Sequence, residues 1–355
     1  MIRPLVMIVT GVLFAATLGR AADLEPVRPG QGTFISRIAF AGHKLWLLTD
    51  AGTLSSIAEG GNERVAVFIP EPAFDLWIQD GAPAVLTGER TGGKFWTVRR
   101  WDRDSWIVLA QVPTNGEPFV AVGTSKNAVT LLTSRRLIDI VGGETHVLTV
   151  TWAEKQMLAG ITSTLVTTDS VFLGFNNGEW GGGLRRVDRK TGTISVIDSR
   201  TSSGLCSGPL NTDCDPVNGI VKEPGKAGCV AAAIGLVHEF SHGRVVEVCG
   251  KAVRRLYFTP AEGASPRDAK DINDEPVSSV AFFGLSAVDN ELWAVGSNGL
   301  HQIRADGSST VTPLPTFRRI GDVSVSFVLP RVVLVLTDVN QRRSLSGSVP
   351  LMVTR

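Results

Sequence analysis

An excess of charge of either sign is what this sequence most lacks: 35 Lys and Arg stand against 34 Asp and Glu, for a net charge of +1. No general field is left for gripping nucleic acid or an anionic bilayer. Long apolar runs are scarce as well. The run from Leu5 to Leu18 has 14 residues, short of the ~20 that a membrane-spanning helix needs. No G-x-S-x-G elbow, Walker loop or clustered thiol and histidine pair occurs, and there are only five histidines. A Ser-His-Asp triad would have to be assembled from distant parts of the chain. Clean helical spacing is missing from every long segment. What is present, 43% hydrophobic residues with 19% charged, describes a folded chain with a sizeable core.

The run at Leu5 has Met1, Ile2 and Arg3 before it and Gly19-Arg20-Ala21 after it, the order of a secretory signal peptide. We expect residues 1–21 to be removed and 22–355 to form an exported protein, periplasmic or extracellular, monomeric and without a membrane span. No Cys near the cleavage point could carry a lipid. Cys206, Cys214, Cys229 and Cys249 lie close together in the chain, and in an oxidising compartment an even number suggests two disulfides. Three pairings are open. Cys206 with Cys214 closes a short polar loop, and Cys229 faces Cys249 if the chain between them is a hairpin.

Short β-branched and aromatic runs follow one another with Gly, Asn, Asp and Ser between them, the pattern of many short antiparallel strands. One unit recurs. Its clearest copies are Leu45-Trp46-Leu47-Leu48-Thr49-Asp50-Ala51-Gly52-Thr53-Leu54 and Leu292-Trp293-Ala294-Val295-Gly296-Ser297-Asn298-Gly299-Leu300. Comparable second strands begin near Val85, Val129, Val171, Val230 and Val332. Seven units over 334 mature residues give about 48 residues each, near the ~40 to 50 of a four-stranded propeller blade.

In Leu45-Trp46 with Thr53-Leu54, and in Leu292-Trp293 with Gly299-Leu300, the chain resembles the β-propellers, in particular repeats of the two-component-regulator and WD-like type. The resemblance implies an all-β fold, a single seven-bladed propeller of four-stranded antiparallel blades, and hardly any function. The last unit has three strands to the end of the chain, so its open edge needs cover. The segment Asp23 to Gly30, with Pro26 and Pro29 tolerable on an outermost strand, is expected to supply it.

In a four-stranded blade the loop from second to third strand and the link to the next blade emerge on one face. The insertions 176–183, 199–215, 238–242 and 259–276 therefore share that face over units four to six, and loops on a rigid scaffold are where binding residues lie. Asn176, Asn177, Glu179 and Trp180 are the first candidates. Trp180 offers a flat face to a sugar or peptide, against the alternative of a wide hairpin whose Trp folds onto a neighbouring blade. His238-Glu239-Phe240-Ser241-His242 matches H-E-x-x-H, which binds zinc only on a helix, where His238 and His242 would share a face. The strand register argues instead for a polar hairpin tip, a candidate binding segment whose two imidazoles and carboxylate could hold a metal or sense acid.

Six arginine pairs, among them Arg99-Arg100, Arg135-Arg136 and Arg254-Arg255, point to opposite faces if they lie on strands. They read as solvated faces and inter-blade ion pairs. Trp96, Trp101 and Trp106 read as blade packing. Some propellers are calcium-dependent lactonases, and Asp75, Asn218, Asp289 and Asp322 are the residues here that could play such a part. The reading is a non-catalytic propeller without a cofactor that binds a protein, peptide or glycan. The alternative class is a hydrolase with calcium in the channel or zinc on His238 and His242.

Overall fold

The computed structural model describes residues 35–125, 128–152, 160–202, 206–238, 241–263, 278–314, 323–328, 332–337 and 350–354. The expected signal peptide, the segment Asp23–Gly30, Glu239 and Asp322 lie outside them.

The short apolar runs form strands of four to nine residues, and the chain is an all-β propeller. Six sheets are four-stranded antiparallel meanders in chain order, spanning 35–67, 73–113, 119–149, 161–197, 217–257 and 282–312. The final sheet has three strands, Val323–Val328, Val332–Thr337 and Pro350–Thr354. Six four-stranded blades thus stand where seven were expected, because the last sheet lacks a fourth strand among the described residues. Val85, Val129, Val171, Val230 and Val332 each lie on the second strand of a sheet, as the repeat predicts.

Neighbouring sheets touch through their inner strands. Ser326 Oγ of the last sheet donates to Ile38 O of the first at 3.2 Å, which closes the ring. Both faces of the second strands are covered by adjacent sheets, so these strands are buried nearly along their length: all of Ala128–Thr133 is buried, while the outer strand Glu144–Thr149 is exposed at nearly every residue. This double covering hides the period-2 alternation in the middle of each blade. Trp46, Trp101 and Trp106 pack edge to face between the first two sheets, with ring centroids 5.1 to 6.1 Å apart, and Trp96 is fully buried.

Turn chemistry matches turn geometry at the far end of the inner strands. Gly42-His43, Asp80-Gly81 and Asp289-Asn290 all have positive φ at both positions, as two-residue type I′ hairpin turns require. The near ends share another device. In all six four-stranded sheets the pairing of inner with second strand shifts by one residue, at Ser36, Phe74, Val120, Thr162, Asn218 and Phe283. Such bulges twist a strand and re-aim its side chains, and here they form a ring around one mouth of the central channel.

Candidate ligand site: the loop-bearing face and the channel mouth

Links between sheets and second-to-third-strand loops meet on the bulged face. Gly182 N donates to Thr212 O at 3.0 Å, Gly183 N to Asp215 O at 2.8 Å, and Ser279 N to Ser241 O at 2.8 Å. Residues 176–183 and 206–215 therefore lie side by side, as do 241–243 and 278–280, while 203–205 and 264–276 of the expected insertions lie outside the described residues.

The loop after Asn176 is a built turn. A 3-10 helix spans Gly178–Trp180, Gly178 N donates to Asn176 Oδ1 at 2.8 Å, and Asn177 N donates to Gly181 O at 2.9 Å. Gly181 has φ of 78° and lies so close to Asp213 that a Cβ there would meet Asp213 O at 2.8 Å. Only glycine fits both demands. The turn leaves Trp180 78% exposed, not folded onto a neighbouring blade. Beside it, Glu179 and His238 face each other at 3.5 Å.

The H-E-x-x-H segment is not helical. Cys229–Val237 and Ser241–Cys249 are paired strands, with His242 opposite Leu236. His238 is exposed beside Glu179, whereas His242 is buried, its Nε2 3.6 Å from Asp215 Oδ1. The two imidazoles occupy different surroundings, and the zinc-protease geometry is not formed. His242 is thus a strand residue, where a hairpin tip was expected. Arg244 and the Asn211 amide hold Asp215 from its other oxygen. Cys214 Sγ lies 3.9 Å from His242 Nε2, but it is bonded to Cys206 and so offers no thiolate to a metal. The second disulfide joins Cys229 and Cys249, directly opposite across the hairpin.

At the centre of this face the inner strands surround a cavity of about 610 Å³. Arg37, Asp75, Arg90, Phe119, Asn176 and Asn218 are among the residues that line it. Asp75 and Asn218, two of the proposed calcium ligands, do reach the channel, but both have other work. Asp75 Oδ1 accepts from Arg37 Nε at 3.3 Å and from Leu76 N at 2.9 Å. Asn218 links three sheets: its amide donates to Gly235 O at 2.8 Å and Phe282 O at 2.9 Å, and its oxygen accepts from Asn176 at 2.7 Å. Asp289 sits in a tight turn at the other end of the strands. Asp289 is thus not brought together with Asp75 and Asn218, and Asp322 lies outside the described residues.

Arg37 and Arg90 carried no signal in the sequence. Arg90 lies in the second-to-third-strand loop of sheet two, its guanidinium over the Phe74 and Phe119 rings at 5.6 and 5.7 Å. Burial lowers its pKa, which Asp75 raises and Arg37 lowers further. Four arginines of the pairs form ion pairs, Arg99 with Glu71, Arg100 with Asp80, Arg136 with Glu117 and Arg254 with Glu247, each within its own sheet or with the link before it rather than between blades. On sheet five, Glu223 and Glu247 share Lys226. Burial and the neighbouring Glu247 raise the Glu223 pKa. Burial opposes the Glu247 charge too, yet Arg254, Glu223 and Lys226 hold its pKa at about 2.

No family model matches the chain, and no curated protein matches it in sequence. Solved structures match it in fold. The extracellular domain of BT4673, a one-component system of B. thetaiotaomicron, superposes with a TM-score of 0.52 at 13% identity, over 92% of this chain and 39% of that one. The extracellular domain of BT3049, a hybrid two-component system of the same organism, gives 0.51 at 13% identity, over 90% and 39%. A computationally designed protein, Ika8, gives 0.50 at 11% identity, over 88% and 83%. The chain spans well under half the length of the two natural neighbours. At these identities the likeness shows the propeller fold.

Proposed function

We propose that this chain is an exported, non-catalytic propeller that binds a protein, peptide or glycan partner through its loop-bearing face over sheets four to six. The observation that carries the reading is Trp180, 78% exposed on a turn that hydrogen bonds and close glycine packing hold in place. A large rigid aromatic with few torsions to immobilise is the residue type that dominates binding surfaces. Asn177, Glu179 and His238 flank it with polar groups. Two disulfides, one of them on this face, support an oxidising compartment, and extracellular domains among the fold neighbours agree with that.

The test is a glycan array and a displayed-peptide library probed with the mature protein and with Trp180→Ala. We expect ligands whose binding falls at least about tenfold in the variant, the loss typical of an interface anchor, with the melting temperature unchanged. Ligands that bind both proteins equally would remove Trp180 from the site and the reading with it.

A further inference from the structure

We propose that the channel mouth is a second, separate binding site, for a small organic monocarboxylate held by Arg90 and Arg37. The inference goes beyond the loop reading and does not depend on Trp180.

Of the described residues lining the cavity, Arg37, Arg90 and Asp75 are charged, leaving one positive charge in surplus among them. The donors are in surplus as well. Arg37 directs Nε to Asp75 and Nη1 to Ser36 O, and Arg90 directs Nη2 to Phe74 O at 3.3 Å. A guanidinium carries five N–H groups, so the Nη2 of Arg37 and the Nε and Nη1 of Arg90 have no partner among the described residues. Cation–π contact with Phe74 and Phe119 helps position the Arg90 guanidinium before any ligand arrives, which lowers the ordering cost of binding.

A planar fork of donors matches a carboxylate in two parallel hydrogen bonds. An anion there would also ease the crowding of two guanidinium groups around one carboxylate, the crowding that burial and Arg37 register in the lowered Arg90 pKa. One surplus charge, with Asp75 close by, suits a monoanion and penalises a dianion such as a phosphate monoester. For the body of the ligand the wall offers Phe119, Ile161, Phe283 and Val325. The cavity, about 610 Å³, is of the size that small-molecule sites have.

Calorimetric titration of the mature protein at low ionic strength with benzoate, its neutral counterpart benzamide, and inorganic phosphate decides the matter. We expect saturable binding of benzoate and none of benzamide, with phosphate weaker than benzoate. Arg90→Gln should weaken benzoate about tenfold or more. Asp75→Asn should tighten it several-fold, because it frees Arg37 and raises the surplus to two charges; a merely structural role for Asp75 gives no such gain. If Arg90→Gln fails to fold, Arg90→Lys, which keeps the charge and loses the fork, takes its place. Trp180→Ala should leave benzoate binding unchanged, so this site and the loop reading fail separately. No benzoate binding, equal binding of benzamide, stronger binding of phosphate, or indifference to Arg90 and Asp75 would each overturn the proposal.

Discussion

His301, on the third strand of sheet six, is fully buried, with both ring nitrogens engaged. Nε2 lies 2.7 Å from Asn298 Oδ1, so it carries the proton, and Nδ1 accepts from the Tyr257 hydroxyl at 3.1 Å, which in turn accepts from Ser309 at 2.7 Å. Burial holds its pKa at about 4, whereas an unfolded histidine titrates near 6.5. Between those values the unfolded chain binds more protons. Stability from this residue is therefore complete above about pH 6.5 and falls as the pH drops toward 4, by roughly 3 kcal/mol in all. Melting curves at pH 7 and pH 5 should show a smaller acid loss in His301→Gln than in the wild type; equal losses would show that His301 is not the source. Little of this was visible in the sequence, because a histidine within a Gly-Leu-His stretch gives no sign of a tyrosine 44 residues away. Trp180 differs: its glycine-rich surroundings told of a turn, while the choice between an exposed ring and one folded onto a neighbouring blade was made by the structure.

Strands were the most legible elements. The β-branched runs, the I′ turn pairs and the repeated second strand are properties of neighbours in sequence, and each second strand that the repeat placed is a strand in the structure. The bulges were not legible. They skip one residue at Ser36, Phe74, Val120, Thr162, Asn218 and Phe283, and those residue types share no local signature. Yet the bulges decide that Arg37 and Asp75, each just past one, face the channel together. They also bring sheets close. Beyond the sixth bulge, a Cβ on Gly284 would meet Val325 Cβ at 2.6 Å, so Gly284→Ala must push the last sheet outward. We expect a loss of about 1 to 3 kcal/mol, as overpacked cores show, readable as a lower midpoint in urea unfolding. The H-E-x-x-H motif shows the converse: the residue pattern was present, but pairing of Cys229–Val237 with Ser241–Cys249 separated its histidines.

For the whole molecule, ring closure is the event on which the other features depend. The last sheet meets the first through Ser326 and Ile38, yet it has three described strands where the others have four. We propose that Asp23 to Gly30 supplies the missing outer strand. Removing those residues should lower the melting temperature by several degrees, as the loss of a few kcal/mol does in a domain of this size; an unchanged melting temperature would contradict closure by that segment. The sequence by itself determined the strand-and-turn grammar, the propeller class and the pairing of Cys229 with Cys249 once a hairpin was assumed, because each depends on residues near one another in the chain. Only the tertiary structure decided that Arg37, Asp75 and Arg90 meet at one channel mouth, that Asn218 ties three sheets together, and that His242 is buried while His238 is exposed. Those outcomes depend on the order in which sheets pack around the ring and on where each bulge turns a side chain. Contacts between residues tens of positions apart set both.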